Sequence, residues 1–463
     1  MPVAVELRNK RVLVVGLART GIATALFCAA RGARITATDL RTEKELGDSL
    51  ASLRQAGVRL DLGSHREELI LDADFVIPSP GVPADAPLLQ SARAKGVTIW
   101  SEIELAGRFL QGRLIGITGS NGKTTTTSLI EHILRSAGFH TILAGNIGTP
   151  LISCVEQSTE HTITVAELSS FQLELIETFR PHISVFLNLT PDHLDRHHTL
   201  GSYGAAKARI FENQTEADSA VLNADDPRTT AYAPAKPRVY WFSRKQRVAQ
   251  GAFVKAGEVL FRRDGSEESI LSLADVPIPG AHNVENVLAA AAAARLAGAE
   301  PAAIAKGVRS FAGVEHRLEF VAEIGGVRYY NDSKATNVDA TLKALDAFPG
   351  RILIILGGKD KGSDYTLLQA LLREKAILAL LIGAAADKIE KQITGSVAIE
   401  QVGTIERALD TAAHAARPGD VVLLAPACAS FDQFQNFEHR GRVFKELVHQ
   451  LERQAASTTS GGR

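Results

Sequence analysis

IGITGSNGKTTTTS, residues Ile115 to Ser128, decides how the chain is read. Leu114, Ile115 and Ile117 enter the stretch as an apolar run, and Leu129, Ile130, Ile133 and Leu134 leave it at helical spacing. The pattern predicts strand, glycine turn, helix, with the helix beginning near Lys123. Gly119 and Gly122 let the backbone fold tightly enough for its N–H groups to converge on an anion. The helix adds its positive end at the same point. Lys123 offers a mobile cation for terminal phosphates, and the Thr124 hydroxyl is placed for magnesium. This is a nucleoside-triphosphate loop of short form, because the full spacing has a glycine where Ile117 stands.

Outward from this loop, the 463 residues suggest about three domains, and 45% hydrophobic residues suffice for full cores. The reading divides them at 1–102, 103–312 and 313–463. A net charge of −1 gives no reason to expect nucleic acid or an anionic membrane. Cys28, Cys154 and Cys428 are far apart, have no metal-type spacing and read as reduced thiols. The first residues lack a basic-then-apolar leader pattern. The longest apolar run, Val287 to Ala299, is too short to span a bilayer and is interrupted by Arg295. The chain therefore reads as cytoplasmic, without membrane insertion and monomeric. The small, polar tail from Ala455 to Arg463 is expected to fray.

The first domain opens as a Rossmann-like βαβ unit: a strand at Arg11–Val15, the turn Gly16 to Gly21, a helix, and a strand at Arg34–Thr38 closed by Asp39. A dinucleotide site, and with it a dehydrogenase, is disfavoured by Ala18, whose methyl stands where a pyrophosphate would approach the backbone. A different nucleotide or diphosphate remains open there. A third strand, Phe75–Pro78, ends in Ser79-Pro80-Gly81-Val82-Pro83, which is either a ligand-binding strand end or an ordinary proline turn.

In the central domain, strands at His140–Ala144, Thr162–Ala166 and Ile183–Leu187 alternate with helices and imply a parallel sheet. They end respectively in Gly145-Asn146, in Glu167 with Ser169, and in a loop carrying Asp192 and His193. Glu167, Asp192 and His193 thus fall on the sheet edge that bears the phosphate loop, suited to a magnesium ion at Thr124. By residue type Lys207, on a helix from Ser202 to Phe211, is a solvated lysine. A β-hairpin is expected from Ala252 to Arg262. Asn283 and Asn286 in Gly280-Ala-His-Asn-Val-Glu-Asn286 cap a helix or hydrogen-bond a purine.

The third domain reads as a second doubly wound sheet, opening on a hairpin around Gly325-Gly326. Its strand ends are polar and carry Arg317, Lys334 and Lys361, which suit an anionic nucleotide and a carboxylate, or are merely solvated. Without a purpose for these strand ends, a non-enzymatic ATP or GTP switch is the weaker alternative.

Taken together, GSNGKT, ELSSFQLE, NLTPDHLDRH, GAHNVENVLAA, EHRLE, NDSKATN, GGKDKG and PACASFDQF resemble the Mur ligase family over nearly the whole length. The resemblance implies three α/β domains: a Rossmann-like N-terminal domain binding the UDP-linked substrate, a central ATPase-type parallel sheet, and a C-terminal Rossmann-like domain binding the amino acid. It implies an ATP-dependent ligase that joins D-glutamate to UDP-N-acetylmuramoyl-L-alanine through an acyl phosphate, with two magnesium or manganese ions. A folylpolyglutamate synthase, or a sibling ligase taking another amino acid, is the alternative. By resemblance, Gly119, Ser120, Asn121, Gly122, Lys123, Thr124, Thr125, Asn283, Asn286, Arg317 and Asp332 serve ATP. Arg19, Thr20, Asp39, Ser79, Gly81, Asn146 and Ser169 match the UDP-substrate side. Lys334, Thr336, Lys361, Ser430 and Phe437 match the D-glutamate pocket, while the role of Asp360 beside Lys361 departs from some relatives. Thr124, Glu167, His193 and a carbamoylated Lys207 match metal ligands, with Lys123, His193 and Lys207 as the catalytic groups.

Overall fold

The computed structural model describes residues 5–460. The chain divides into two compact units, 1–275 with 285–310 and 276–284 with 311–463.

The first unit holds two sheets. One is five-stranded, built from β1 (Arg11–Val15), β2 (Arg34–Asp39), β3 (Arg59–Leu62), β4 (Phe75–Pro78) and β5 (Thr98–Ile99) in the order β3-β2-β1-β4-β5. All its pairings are parallel. The continuous apolar run of β1 is what a strand covered on both faces requires. Val12 and Val14 join one core, while Leu13 and Val15 join another on the opposite face. The strand order reverses at β1, so the ends of β1 and β4 open a crevice at their carboxyl edge.

The second sheet has nine strands. In chain order they are β6 (Arg113–Thr118), β7 (Thr141–Gly145), β8 (Ile163–Glu167), β9 (Ile183–Phe186), β10 (Ser219–Asn223), β11 (Arg238–Ser243), β12 (Gly251–Lys255), β13 (Glu258–Arg263) and β14 (Ser266–Ser272). Their spatial order is β14-β13-β12-β11-β10-β9-β6-β8-β7. The expected parallel sheet is correct from β7 to β12, but β12, β13 and β14 run antiparallel and make the whole mixed. The cause is local. Ala256 and Gly257 take positive φ (50° and 79°), the two-residue turn that folds a hairpin back on itself. The phosphate-loop strand β6 lies centrally, between β8 and β9.

The second unit contains β15 (Glu319–Ile324), β16 (Val327–Asn331), β17 (Ile352–Gly357), β18 (Ala376–Ile382), β19 (Ala398–Gly403) and β20 (Val421–Leu424), ordered β15-β16-β20-β17-β18-β19. Only the β15–β16 hairpin is antiparallel. Its cores lie on both faces of β17 and β20. The chain's final helix, Phe437–Ser460, packs along this sheet through Phe444 and Val448. The tail expected to fray from Ala455 instead continues this helix as far as Ser460, and its last part, 461–463, lies outside the described residues. The three cysteines are free, and all three are buried.

Candidate active site

The phosphate loop joins β6 to the helix Lys123–Ser136. Gly122 is the residue before that helix and sits at φ 84°, a left-handed conformation that glycine adopts without strain. A Cβ there would also lie 2.3 Å from Asn286 Oδ1. The loop is braced by the strand next door. Ser120 N–H donates to Asn188 O (3.0 Å) and Asn121 N–H to Asn188 Oδ1 (2.9 Å), while Ser120 Oγ donates to Thr190 O (2.9 Å). Lys123 folds back, its ammonium donating to the carbonyls of Gly119 (2.9 Å) and Ser120 (3.0 Å). It is thus held over the loop rather than extended into solvent. Thr125 Oγ1 is buried without a hydrogen-bond partner.

Thr124 Oγ1 donates to Glu167 Oε2 at 2.8 Å, and Asn146 Nδ2 donates to Glu167 Oε1 at 2.9 Å. Three strand ends, of β6, β7 and β8, therefore meet on one carboxylate. Ser169 opens a short helix with a capping box, its hydroxyl and N–H engaging Gln172. His193 takes φ 51° and lies edge-on to Phe171 (5.0 Å between centroids) and Tyr203 (6.3 Å), with Asp192 at 3.6 Å.

Lys207 overturns the expectation drawn from its residue type. Only 1% of it is exposed; its ammonium donates to Gly119 O (2.9 Å) and stands over the Tyr203 ring at 4.4 Å. Burial first, then the neighbouring Lys123 cation, hold its pKa well below the ordinary lysine value, against the pull of Asp192 and Glu167. Lys207 is therefore an enclosed lysine whose neutral form is favoured, and not a solvated one.

The Thr124 hydroxyl and Glu167 carboxylate are hard oxygen donors, which suit magnesium. Among the described residues no group of three or more His, Cys, Asp or Glu is arranged to hold an ion. Lys207 as an amine does not complete such a set, whereas a carbamate on it would supply carboxylate oxygens.

In the five-stranded sheet, Ser79 Oγ donates to Gly16 O at 2.7 Å and so ties the end of β4 to the end of β1. Gly21 is required beneath them, since a Cβ would stand 1.9 Å from Gly16 O. Arg19 and Thr20 begin the helix Arg19–Ala30 at the same edge, and Gly81 is exposed beside it. Asp39 accepts from Leu17 N–H (2.6 Å) and Arg41 Nη2 (2.8 Å). Burial raises its pKa, but the hydrogen bonds from the Arg41 side chain and the backbone outweigh it and leave the carboxyl at about 2.

In the second unit, Asn283 Nδ2 donates to Pro279 O (2.6 Å), which holds the turn into the helix Ala281–Ala297. Asn286, in the first unit, accepts from Thr126 Oγ1 (3.2 Å) and rests against the phosphate loop. Burial raises the Asp332 carboxyl to about 6, opposed by Arg317 and Lys334 nearby. Arg317 has a buried Nε without a hydrogen-bond partner. Lys334 stands 5.6 Å from the Phe437 ring centroid, Thr336 N–H bonds to Lys334 O (2.8 Å), and Ser430 is buried in the loop that follows β20. Lys361 is exposed. Asp360 accepts from Tyr365 Oη and Lys388 Nζ, each at 2.8 Å. Burial opposes these bonds, yet its carboxyl falls to about 2.

The sequence reading missed Arg440. This guanidinium is 1% exposed and donates to Ser333 Oγ (3.0 Å), Ser333 O (2.8 Å) and Cys428 O (3.2 Å), binding the loop after β16 to the loop after β20.

Three family models match successive parts of the chain: the N-terminal domain described as Mur ligase MurD-like (residues 10–101), the Mur ligase middle domain (117–294), and the Mur ligase, glutamate ligase domain (316–428). A protein of Acidobacterium capsulatum named UDP-N-acetylmuramoylalanine--D-glutamate ligase is 53% identical over 96% of this chain and 97% of its own. The protein of that name from Koribacter versatilis is 52% identical over 97% and 99%. The chain belongs to the Mur ligase family. The fold of this Mur ligase also matches the crystal structure of MurF ligase from Thermotoga maritima in complex with ADP. That match has a TM-score of 0.61 at 16% identity, over 96% of this chain and 99% of the other. It is likewise similar to a UDP-N-acetylmuramate-alanine ligase of the same organism (TM-score 0.58, 20% identity, 95% and 99% covered). Among the described residues of this Mur ligase no helix is long and apolar enough to cross a membrane.

Proposed function

We propose that this chain is an ATP-dependent ligase that adds D-glutamate to the carboxylate of UDP-N-acetylmuramoyl-L-alanine, a cytoplasmic step in peptidoglycan precursor synthesis carried out by a monomer. The observation that carries this is the meeting of the phosphate loop, the Thr124–Glu167 pair and a buried Lys207, in a chain 53% identical to a ligase so named.

The chemistry follows from the leaving group. A carboxylate does not accept an amine at neutral pH, because oxide will not leave. ATP's γ-phosphoryl is transferred to the substrate carboxylate; a P–O bond to the acceptor forms as the bond to ADP breaks. The D-glutamate amine then attacks the acyl carbon, loses a proton, and phosphate departs as the amide forms. In this scheme the N–H groups at the start of the helix Lys123–Ser136 face the phosphates, while those of Ser120 and Asn121 brace the loop on Asn188. Lys123 leaves its loop carbonyls to neutralise charge building on the transferred group. Bound magnesium would supply charge neutralisation and Lewis acidity. Thr124 and Glu167, with His193 and a carbamate on Lys207, are the residues to hold it. That carbamate forms when the neutral Lys207 amine adds to carbon dioxide and releases one proton, so the lowered pKa favours it. A neighbouring carboxylate takes the proton from the attacking amine, since an imidazole holding the ion through one nitrogen keeps a hydrogen on the other. Thr20, Ser79 and Gly81 receive the UDP portion, and Lys334, Thr336, Ser430 and Phe437 receive D-glutamate.

The test is a panel of acceptors with ATP. Phosphate release is expected only when UDP-N-acetylmuramoyl-L-alanine and D-glutamate are both present. Release with a folate acceptor, or with the UDP-linked substrate and a different amino acid, would replace this reading.

A further inference from the structure

The segment His193 to His198 follows β9 and carries a single helical turn, Leu194–His197. Its two ends, His193 and His198, both take positive φ (51° and 62°) without being glycine. Such a conformation persists only where the surroundings hold it. Here the hold comes from two side chains inside the segment. His197, buried, meets Ser170 Oγ through Nε2 (2.9 Å) and Glu174 Oε1 through Nδ1 (3.3 Å). Arg196 Nη2 meets the other oxygen of Glu174 (3.0 Å), and its guanidinium lies 3.9 Å from the Phe171 ring centroid. One helix turn after β8 thus clamps the segment from both sides.

Arg196 also reaches out of the central sheet. Its Nη1 donates to Pro80 O (2.8 Å) and its Nη2 to Val82 O (3.2 Å). Those carbonyls belong to the loop after β4, whose Ser79 closes onto β1. The planar fork of a guanidinium is what lets one side chain serve a carboxylate and two carbonyls at once. The same arginine therefore fixes the loop assigned to the UDP-linked substrate and the segment that carries His193, one residue of the candidate metal site.

We propose that Arg196 is a positioning residue that couples the two sites: ordering of the loop 79–83 by the UDP-linked substrate stabilises the placement of His193, and nucleotide with magnesium at that end tightens the substrate loop in return. By linkage the coupling is reciprocal. This rests on the ligands named under the proposed function. A residue that only stiffened the fold would move both affinities or neither; a coupling residue changes the interaction between them.

The experiment is isothermal titration of the full chain with UDP-N-acetylmuramoyl-L-alanine, with and without saturating magnesium and the β,γ-methylene analogue of ATP. In the wild type the analogue is expected to tighten substrate binding by a factor of about 5 or more, within the usual range of coupling between sites. In Arg196→Ala that factor, read as the ratio of the two substrate affinities within the same variant, falls to less than about 2. Arg196→Lys, which keeps the charge and loses the fork, behaves like the alanine variant. Glu174→Gln weakens the clamp and gives an intermediate factor. Should Arg196→Ala lack a cooperative thermal transition, the Lys and Gln variants carry the measurement. Wild-type coupling in all the folded variants, or no coupling in the wild type, overturns the proposal. A wild type that binds the analogue but not the UDP-linked compound refutes the assigned acceptor instead.

Discussion

Replacing Glu102 by Gln should remove a pH dependence of stability that belongs to a single buried carboxyl. Glu102 is 1% exposed; Oε1 accepts Ile152 N–H at 2.7 Å, and Oε2 has no hydrogen-bond partner. Burial raises its pKa from the ordinary 4.5 to about 7, against hydrogen bonds from Ile152, Gln172 and Leu151. A raised folded-state pKa means that the native chain holds the proton longer than the unfolded one. Its stabilising contribution is fully present below pH 4.5, declines as the unfolded carboxyl ionises, and is gone above about pH 7. At 1.36 kcal/mol per pH unit this window is worth about 3 kcal/mol. Gln cannot titrate. Its amide, placed where Oε2 has no partner, adds a cost that is the same at every pH and cancels from the slope. The assay is urea unfolding of wild type and Glu102→Gln from pH 4.5 to 8. It is read by fluorescence of Trp100, with the chain's other tryptophan, Trp241, replaced by Phe in both. The stability difference should shift in favour of the variant by about 3 kcal/mol across the window. Parallel profiles would show that Glu102 is ionised in the folded chain and that the burial argument fails.

Lys123→Ala should lower the rate of phosphate release by roughly 10² to 10⁴ while leaving affinity for the UDP-linked substrate intact, since charge on the transferred phosphoryl would lose its cation; single-turnover kinetics with titration of the UDP compound check this. Lys207→Ala should nearly abolish activity with little loss of fold, and added short carboxylates should restore part of the rate. Wild-type rates in that variant would return Lys207 to a purely structural role. Alanine at both Thr20 and Ser79 should raise KM for the UDP-linked substrate, by roughly tenfold for each lost hydrogen bond at most, without changing KM for ATP. Arg440→Ala should destabilise the second unit by roughly 3–5 kcal/mol, because the carbonyls of Ser333 and Cys428 lose their buried donor. Denaturant unfolding measures this, and a value under about 1 kcal/mol would mean that water replaces the guanidinium without strain.

What the sequence makes legible here is what depends on neighbours along the chain. The turn at Gly119 to Gly122 is readable because its glycines, the apolar strand before and the amphipathic helix after are all local demands, and the structure places them as read. The hairpin at Ala256-Gly257 is readable for the same reason. β14 and β19 were not anticipated: both are edge strands, largely polar and partly exposed, so neither carries a buried apolar pattern. The polar residues that act at a distance are the harder class. Lys207 is separated by 88 residues from the Gly119 carbonyl it meets, and within its helix only apolar neighbours such as Tyr203 and Ala206 hint that one side faces the interior. Arg440 stands in a run with His439 and Arg442, which reads as a solvated basic face until the fold brings Ser333 and Cys428 to it from 107 and 12 residues away. Arg196, in Asp-Arg-His-His, is masked in the same way, its partners Pro80 and Val82 lying 116 and 114 residues back.

The three concealed residues have a common physical character. Each is a long nitrogen-bearing side chain that donates to backbone carbonyls at strand ends: Gly119 for Lys207, Pro80 and Val82 for Arg196, Ser333 and Cys428 for Arg440. Loops at the carboxyl ends of parallel strands leave carbonyls that the sheet does not satisfy, and buried carbonyls need donors. A long side chain with several N–H groups can reach them from another element and fix the loops' mutual positions. In this chain such donors hold the strand-end loops independently of the chemistry those loops perform. The catalytic motifs are conspicuous because chemistry dictates their spacing; the residues that hold those motifs in place are not, because only the assembled sheet dictates theirs.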